Sequence, residues 1–347
     1  MAQPIFRFLL AMAIAGLVVL LVVATVLYAH LPATPALPPA GTLPKSPIPG
    51  PNWTLLNTTS SPVTADSMMT YDPPIAQILL LDSENRCGET YTWTFAGGEW
   101  RNQTSNVGPG PTPARGQGGL VYDAADGELV LFGGTSPCGT YNDTWTFANN
   151  TWTHISTAVA PPPLWGFEMT YDAADRYVLL TGGCCIHGGD SHETWEFHGD
   201  GWTNLSEAPT PVVDLQSGMV FDQSIGKVLF VGGYASGFVS QSTWTFVNGT
   251  WVRVYPIDSP ANRAGVGLAF DGRLGRDILV GGYTKVSKGV FINLTDTWSY
   301  GSGGWTNLTS QLTGSPPFVS GPTLMAYDAS TRQVVLFLGF DETWVFG

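Results

Sequence analysis

The side chains able to do chemistry in this chain are few, and most lie in one stretch. The four cysteines are Cys87, Cys138, Cys184 and Cys185, the last two inside the segment GGCCIHGGDSHETW with His187 and His192. Cysteine and histidine at that density can hold zinc or copper. Adjacent cysteines are poor ligand spacing beside Cys-X2-Cys, however, and an exported chain meets an oxidising medium. Disulfides are therefore the expected state, and four cysteines allow three pairings. Paired catalytic carboxylates, a nucleophile elbow and a phosphate-cradling glycine loop are not found in the sequence. No catalytic residue and no cofactor are expected.

The scaffold that must position these residues is an internal repeat. An aromatic-Asp pair recurs at Tyr71-Asp72, Tyr122-Asp123, Tyr171-Asp172, Phe221-Asp222, Phe270-Asp271 and Tyr327-Asp328, at spacings of 51, 49, 50, 49 and 57 residues. A short turn, an apolar run and, in four repeats, Gly-Gly follow. Next comes a Thr-Trp pair with Trp at 93, 145, 195, 244, 298 and 344, then a second Trp at 100, 152, 202, 251 and 305. Each unit therefore holds four short apolar runs separated by turn residues, which is strand chemistry. The 42 Gly and 26 Pro suit tight turns and speak against a helical bundle.

The diglycine and the two tryptophans at fixed spacing resemble kelch repeats, as found in kelch β-propellers and in the central domain of galactose oxidase. The resemblance covers residues 52–347 and implies an all-β, six-bladed propeller. The sixth unit ends at TWVFG without its second Trp, while Asn52-Trp53-Thr54-Leu55-Leu56 stands at the front and reads like NTWTHI. This N-terminal strand is expected to complete the last blade and close the ring. The copper site of galactose oxidase is not implied, because the chain has only five histidines, one of them His30, and no extra domain to supply ligands. Six-bladed kelch enzymes that isomerise sialic acid offer an analogy, but their catalytic residues cannot be placed on this chain.

On such a ring most conspicuous residues are structural. The Asp of each aromatic-Asp pair is expected to cap a turn. Asp143, Glu193, Asp296 and Glu342, two residues before the first Trp, read as copies of a repeat position rather than a cation ring. All four cysteines fall in the connections between second and third strands of consecutive blades. Cys87–Cys138 with a vicinal Cys184–Cys185 pair is one pairing; Cys138 with Cys184 or Cys185 is the other, and the two stay open. Kelch domains often carry an Arg before each first strand, pointing to the pore mouth. That position, seven before the aromatic, holds Arg115 and Arg263, with Thr64, Leu164, Asp214 and Ser320 in the other blades. Trp165 lies beside it. Arg115, Trp165, Asp214 and Arg263 are thus the expected ligand-binding residues.

The ends of the chain suggest a location. Residues 8–29 contain a 21-residue uncharged run, Phe8 to Tyr28, long enough to span a bilayer as one transmembrane helix. Arg7 precedes it, which places residues 1–7 in the cytoplasm and the remainder outside. Residues 30–51 are proline-rich and read as an extended stalk. Sequons at Asn52, Asn57, Asn102, Asn142, Asn149, Asn204, Asn248, Asn293 and Asn307 agree with export. A net charge of −13 argues against nucleic acid as partner. The expected protein is a single-pass cell-membrane module that displays variable loops to an extracellular protein or carbohydrate. A membrane-tethered enzyme with a Cys/His metal site and a structural envelope protein are the alternatives.

Overall fold

The computed structural model describes residues 50–347 apart from 64–65, 85–86, 186–190, 200, 207–209, 212–214, 317–322 and 340–341. The expected anchor, residues 8–29, and all but the last two residues of the stalk lie outside the described residues. No helix among the described residues is long and apolar enough to cross a membrane. The described residues are built into short antiparallel strands, with a single 3-10 turn among them at Thr309–Gln311.

Six four-stranded antiparallel blades follow one another in chain order. Blade 1 runs through Met68–Asp72, Gln77–Asp82, Tyr91–Ala96 and Glu99–Asn102; blade 2 starts at Gly119–Asp123, blade 3 at Glu168–Asp172, blade 4 at Leu215–Asp222, blade 5 at Gly267–Asp271 and blade 6 at Leu324–Asp328. The second strands explain why the blades stack. ELVLF, YVLLT and QVVLF are continuous apolar runs, and their residues after the first are all buried. A strand covered on both faces by neighbouring blades has no solvent side to keep polar. Fourth strands show the opposite pattern: EWRN and GWTN each bury little beyond the Trp, because one face of the outer strand meets water.

Closure is by the N-terminal strand, as expected. Trp53–Leu56 adds to the outer edge of Thr343–Phe346 in antiparallel register, Trp53 opposite Phe346 and Leu56 opposite Thr343. Asn52 and Gly347 exchange backbone hydrogen bonds at 3.3 Å, so the ends of the ring meet.

In five of the six blades the Trp of the outer strand works as a fastener between blades; Trp152 of blade 2 makes no such bond. Each fastening indole N–H donates to the Thr of the Thr-Trp pair in the preceding blade: Trp53 to Thr297 at 3.0 Å, Trp100 to Thr343, Trp202 to Thr144 and Trp251 to Thr194 at 2.9 Å, and Trp305 to Thr243 at 3.2 Å. The aromatic-Asp carboxylates cap the turn between first and second strands. Asp123 Oδ1 accepts the Ala125 N–H at 2.8 Å, and Asp172, Asp222, Asp271 and Asp328 do the same two residues on. The turn then ends on a left-handed residue such as Gly127 (φ 75°) or Arg176 (φ 64°), whose N–H returns to the Asp carbonyl.

Of the cysteine pairings left open, the structure forms Cys87–Cys138, which ties blade 1 to blade 2. The bridge closes a loop with a sequence separation of 51. Chain-entropy arguments give such a loop about 4 kcal/mol. Urea unfolding with and without reductant, on a Cys184→Ser/Cys185→Ser background, is expected to show a loss approaching that value.

Candidate functional site

The innermost strands of the blades surround an axial cavity of about 190 Å³, and every blade contributes to its wall. Its rim is tied by a chain of hydrogen bonds running from blade to blade. A residue at the entry to the innermost strand, five before the aromatic of the aromatic-Asp pair, is left-handed in four consecutive blades: Gln117 (φ 54°), Gly166 (φ 66°), Gln216 (φ 57°) and Gly265 (φ 68°). Gly166 N–H donates to the Gln117 carbonyl at 2.8 Å, Gln216 N–H to Gly166 at 3.4 Å, and Gly265 N–H to Gln216 at 2.7 Å. Thr323 Oγ1 continues the chain onto the Gly265 carbonyl at 2.8 Å. Rim backbone groups are thereby satisfied by one another, which leaves side chains to meet a ligand. Tyr283 O–H reaches across to Gln216 Oε1 at 2.5 Å.

One ionisable side chain lines this cavity among the described residues: Glu168. It stands where the other blades carry Met68, Gly119, Gly218, Gly267 and Leu324. Burial within the cavity wall pushes its carboxyl well above the usual carboxylate range, opposed by a backbone N–H from Ser217. A neutral acid here can donate as well as accept a hydrogen bond. The sequence did carry a signal for it, a lone acid at a glycine-and-methionine repeat position, but only the ring shows that this position faces the axis.

The residues expected at the pore mouth are placed differently. Arg115 and Arg263 are 1% exposed. Arg263 makes a bidentate pair with Asp296, both bonds at 2.8 Å, and also donates to the Ala261 and Gly281 carbonyls. Arg115 pairs with Asp143, donates to the Pro113 carbonyl and lies 3.9 Å from the Tyr141 ring centroid. The expectation that these guanidiniums greet a ligand is therefore corrected: a charge this buried needs internal partners, and each clamps an inter-blade connection onto the next blade. Burial alone would raise the Asp296 carboxyl, but the hydrogen bonds and charge of Arg263 hold it below its ordinary value.

Three of the four carboxylates two before the first Trp prove to be indole acceptors: Trp145 donates to Asp143 at 2.8 Å, Trp195 to Glu193 at 2.9 Å and Trp298 to Asp296 at 2.5 Å, whereas the Trp344 indole beside Glu342 is buried without a partner. Trp165 is half-buried in a two-residue ladder, Leu164–Trp165 against Cys184–Cys185, with Trp165 opposite Cys184. The structure thus joins two features that the sequence presented separately. Asp214 and His187 lie outside the described residues, and His192 is exposed. Among the described residues no group of three or more His, Cys, Asp or Glu is placed to hold a metal ion.

Eight of the nine sequon asparagines are exposed; Asn52 is half-buried, with its Nδ2 on Thr313 Oγ1 at 2.7 Å. Three of the exposed sequons also have a structural use. Asn102, Asn204 and Asn307 end their blades by accepting the N–H two residues on, and the Thr or Ser there accepts the N–H of the Thr in the Thr-Trp pair.

Variation between blades is confined to one end of the ring. The turns joining first and second strands are four residues in every blade (73–76, 124–127, 173–176, 223–226, 272–275, 329–332). The connections from second to third strand range from 338–342 in blade 6 to 281–296 in blade 5. The longest forms a hairpin, Tyr283–Ser287 with Val290–Asn293, whose second strand is exposed on both faces. Val286, Val290, Phe291 and Ile292 stand in solvent there, and Phe238 on the neighbouring blade is 77% exposed. Lys285 Nζ joins the two loops through the Gly237 carbonyl at 2.6 Å.

These features define a six-bladed β-propeller with a small axial cavity and one variable face. Among solved structures it is similar to one titled "Structure of YjhT", with a TM-score of 0.63 at 14% identity over 84% of this chain and 95% of that one. At that identity the likeness is one of fold. No protein-family model and no curated protein matches the chain.

Proposed function

We propose that this chain is a binding module of kelch type whose variable face recognises an extracellular protein or carbohydrate. The observation that carries the reading is the asymmetry of the connections. Turns on one face keep their minimal length through six blades, whereas those on the other differ in length and composition. A rigid ring that elaborates one face is suited to present contact surface there. The exposed apolar side chains of the blade 4 and blade 5 loops favour a protein ligand, because clustered apolar surface gains most from being covered. In this reading residues 8–29 anchor the chain in the cell membrane, 30–51 form its stalk, and the propeller lies outside the cytoplasm.

The test uses variants of the loops and of the axial cavity. One replaces 283–293 by a connection as short as that of blade 6; the others are Trp165→Ala and Glu168→Gln. Each is run beside the parent chain against an array of immobilised glycans and a panel of purified extracellular proteins. A ligand bound by the parent and lost with a loop variant whose melting temperature is unchanged is the expected result. Equal binding by all variants would overturn the assignment of recognition to this face. Protease accessibility of the propeller on intact cells tests the location.

A further inference from the structure

The other acids described so far each hold something in the fold: a turn, an indole or a guanidinium. Glu168 holds none of these and takes one backbone N–H, from Ser217. An acid that breaks the pattern of its repeat without a structural return points to a ligand. The axial cavity is also open to one. Glu168, Gln117, Gln216, Met69, Met169 and Met325 line it and are only half-buried, so a molecule on the axis meets side chains rather than sealed core. Its volume of about 190 Å³ exceeds the roughly 150 Å³ that holds a benzene molecule.

The wall decides the class of ligand. Two before the aromatic of each aromatic-Asp pair the cavity is ringed by Met69, Leu120, Met169, Met219, Leu268 and Met325. Methionine makes an apolar wall that adapts to the shape placed on it. Its sulfurs do not converge as a soft-metal site requires, because they are packed onto glycine backbone in different blades. A Cβ on Gly118 would stand 2.8 Å from the Met68 sulfur and one on Gly267 2.9 Å from the Met325 sulfur. No basic side chain lines the cavity among the described residues. The strands packed against Glu168 carry Tyr122, Asp123, Tyr177, Asp222, Lys227 and Tyr234, and its own strand Tyr171 and Asp172; none of these lines the cavity. The Glu168 carboxylate is disfavoured there for want of a positive partner. A cation supplies that partner, and the acid proton leaves to solvent as it binds. The net charge of −13 attracts ligands of that sign.

We propose that the axial cavity is a binding site for a small primary ammonium ion, its nitrogen held by the Glu168 carboxyl and the Gln117 and Gln216 carboxamide oxygens and its apolar part on the methionine wall. Three N–H donors match those acceptors, and the carboxamides bring no charge of their own. The site is the axis of the ring and not its loops, so the inference does not rest on the recognition proposed above.

Calorimetric titration of the full-length chain with butylammonium and benzylammonium tests the site, beside the matching alcohols and carboxylates. At least one amine is expected to bind saturably and more tightly than its alcohol, and neither carboxylate to bind. Glu168→Gln is expected to weaken the amine about 10–100-fold, the effect of losing a hydrogen bond to a charged group. It should not lower the melting temperature of the free protein, because the carboxyl holds no element of the fold. The position of the ligand is read without any variant. All five methionines of residues 52–347 line the cavity, so with methyl-labelled methionine the amine should shift their NMR signals. Failure of both amines to bind would overturn the proposal. So would an alcohol that binds as tightly as its amine, binding that leaves those methyl signals in place, or full affinity in Glu168→Gln.

Discussion

Asp277→Asn is expected to stabilise the protein by on the order of 4 kcal/mol at pH 7 and to change it little at pH 4. Asp277 is 0% exposed and lies in the second strand of blade 5, where the other blades carry Ile78, Leu129, Val178, Val228 and Val334. Its cross-strand neighbour is Tyr300, itself at a position that is Phe in the other blades. Burial, and then the neighbouring Asp222 across the blade junction, push the Asp277 carboxyl up to about 9. The folded state therefore keeps a proton that the unfolded chain releases near pH 4. Below that pH both states hold it and nothing is lost. Between about 4 and 9 the folded state alone must stay protonated, so stability falls as pH rises. Three pH units of that window are worth about 4 kcal/mol at pH 7. An Asn keeps the shape and offers Asp222 an N–H in place of the acid proton. Asp72, pushed up to about 6 by burial, acts in the same direction over a narrower range. Urea unfolding of both proteins from pH 4 to pH 9 checks this: the two curves should diverge steadily with pH, and parallel curves would exclude a shared proton at this junction.

Opening the ring is the second large effect. Trp53→Ala is expected to cost about 3–5 kcal/mol, the usual range for emptying a large aromatic site. Trp53 is 2% exposed, stacks 5.0 Å from Phe346 and donates to Thr297. It thus joins the first described strand to the last two blades. Deleting residues 50–56 should be more severe than any single substitution. It removes the outer strand of blade 6, bares the edge of Thr343–Phe346 and empties the Trp53 site together. Cooperative thermal unfolding is expected for the parent and for Trp53→Phe, and a broad transition with aggregation for the deletion. A deletion variant that unfolds as sharply as the parent would show that blade 6 does not need its fourth strand.

The six-fold repeat, the strand order within each blade and the borrowed closing strand are legible in the sequence, because each follows from local pattern. Continuous apolar runs mark second strands, Asp marks turns, and a missing Trp at one end finds its match at the other. The structural reading of Asp143, Glu193 and Asp296 also holds, for a copied position brings its indole partner with it. The roles of Arg115 and Arg263 depended on tertiary structure. An Arg beside a pore reads the same whether its side chain turns to solvent or to a carboxylate 28 or 33 residues away. The pairing of Cys87 with Cys138 likewise needed the distance between two loops, which spacing alone leaves open. Glu168 and Asp277 were the least legible. Each has an ordinary residue type, and only the neighbouring blades make it a cavity acid or a buried partner of a second carboxyl. A sequence can specify what each blade is made of; which groups face one another is decided when the blades close.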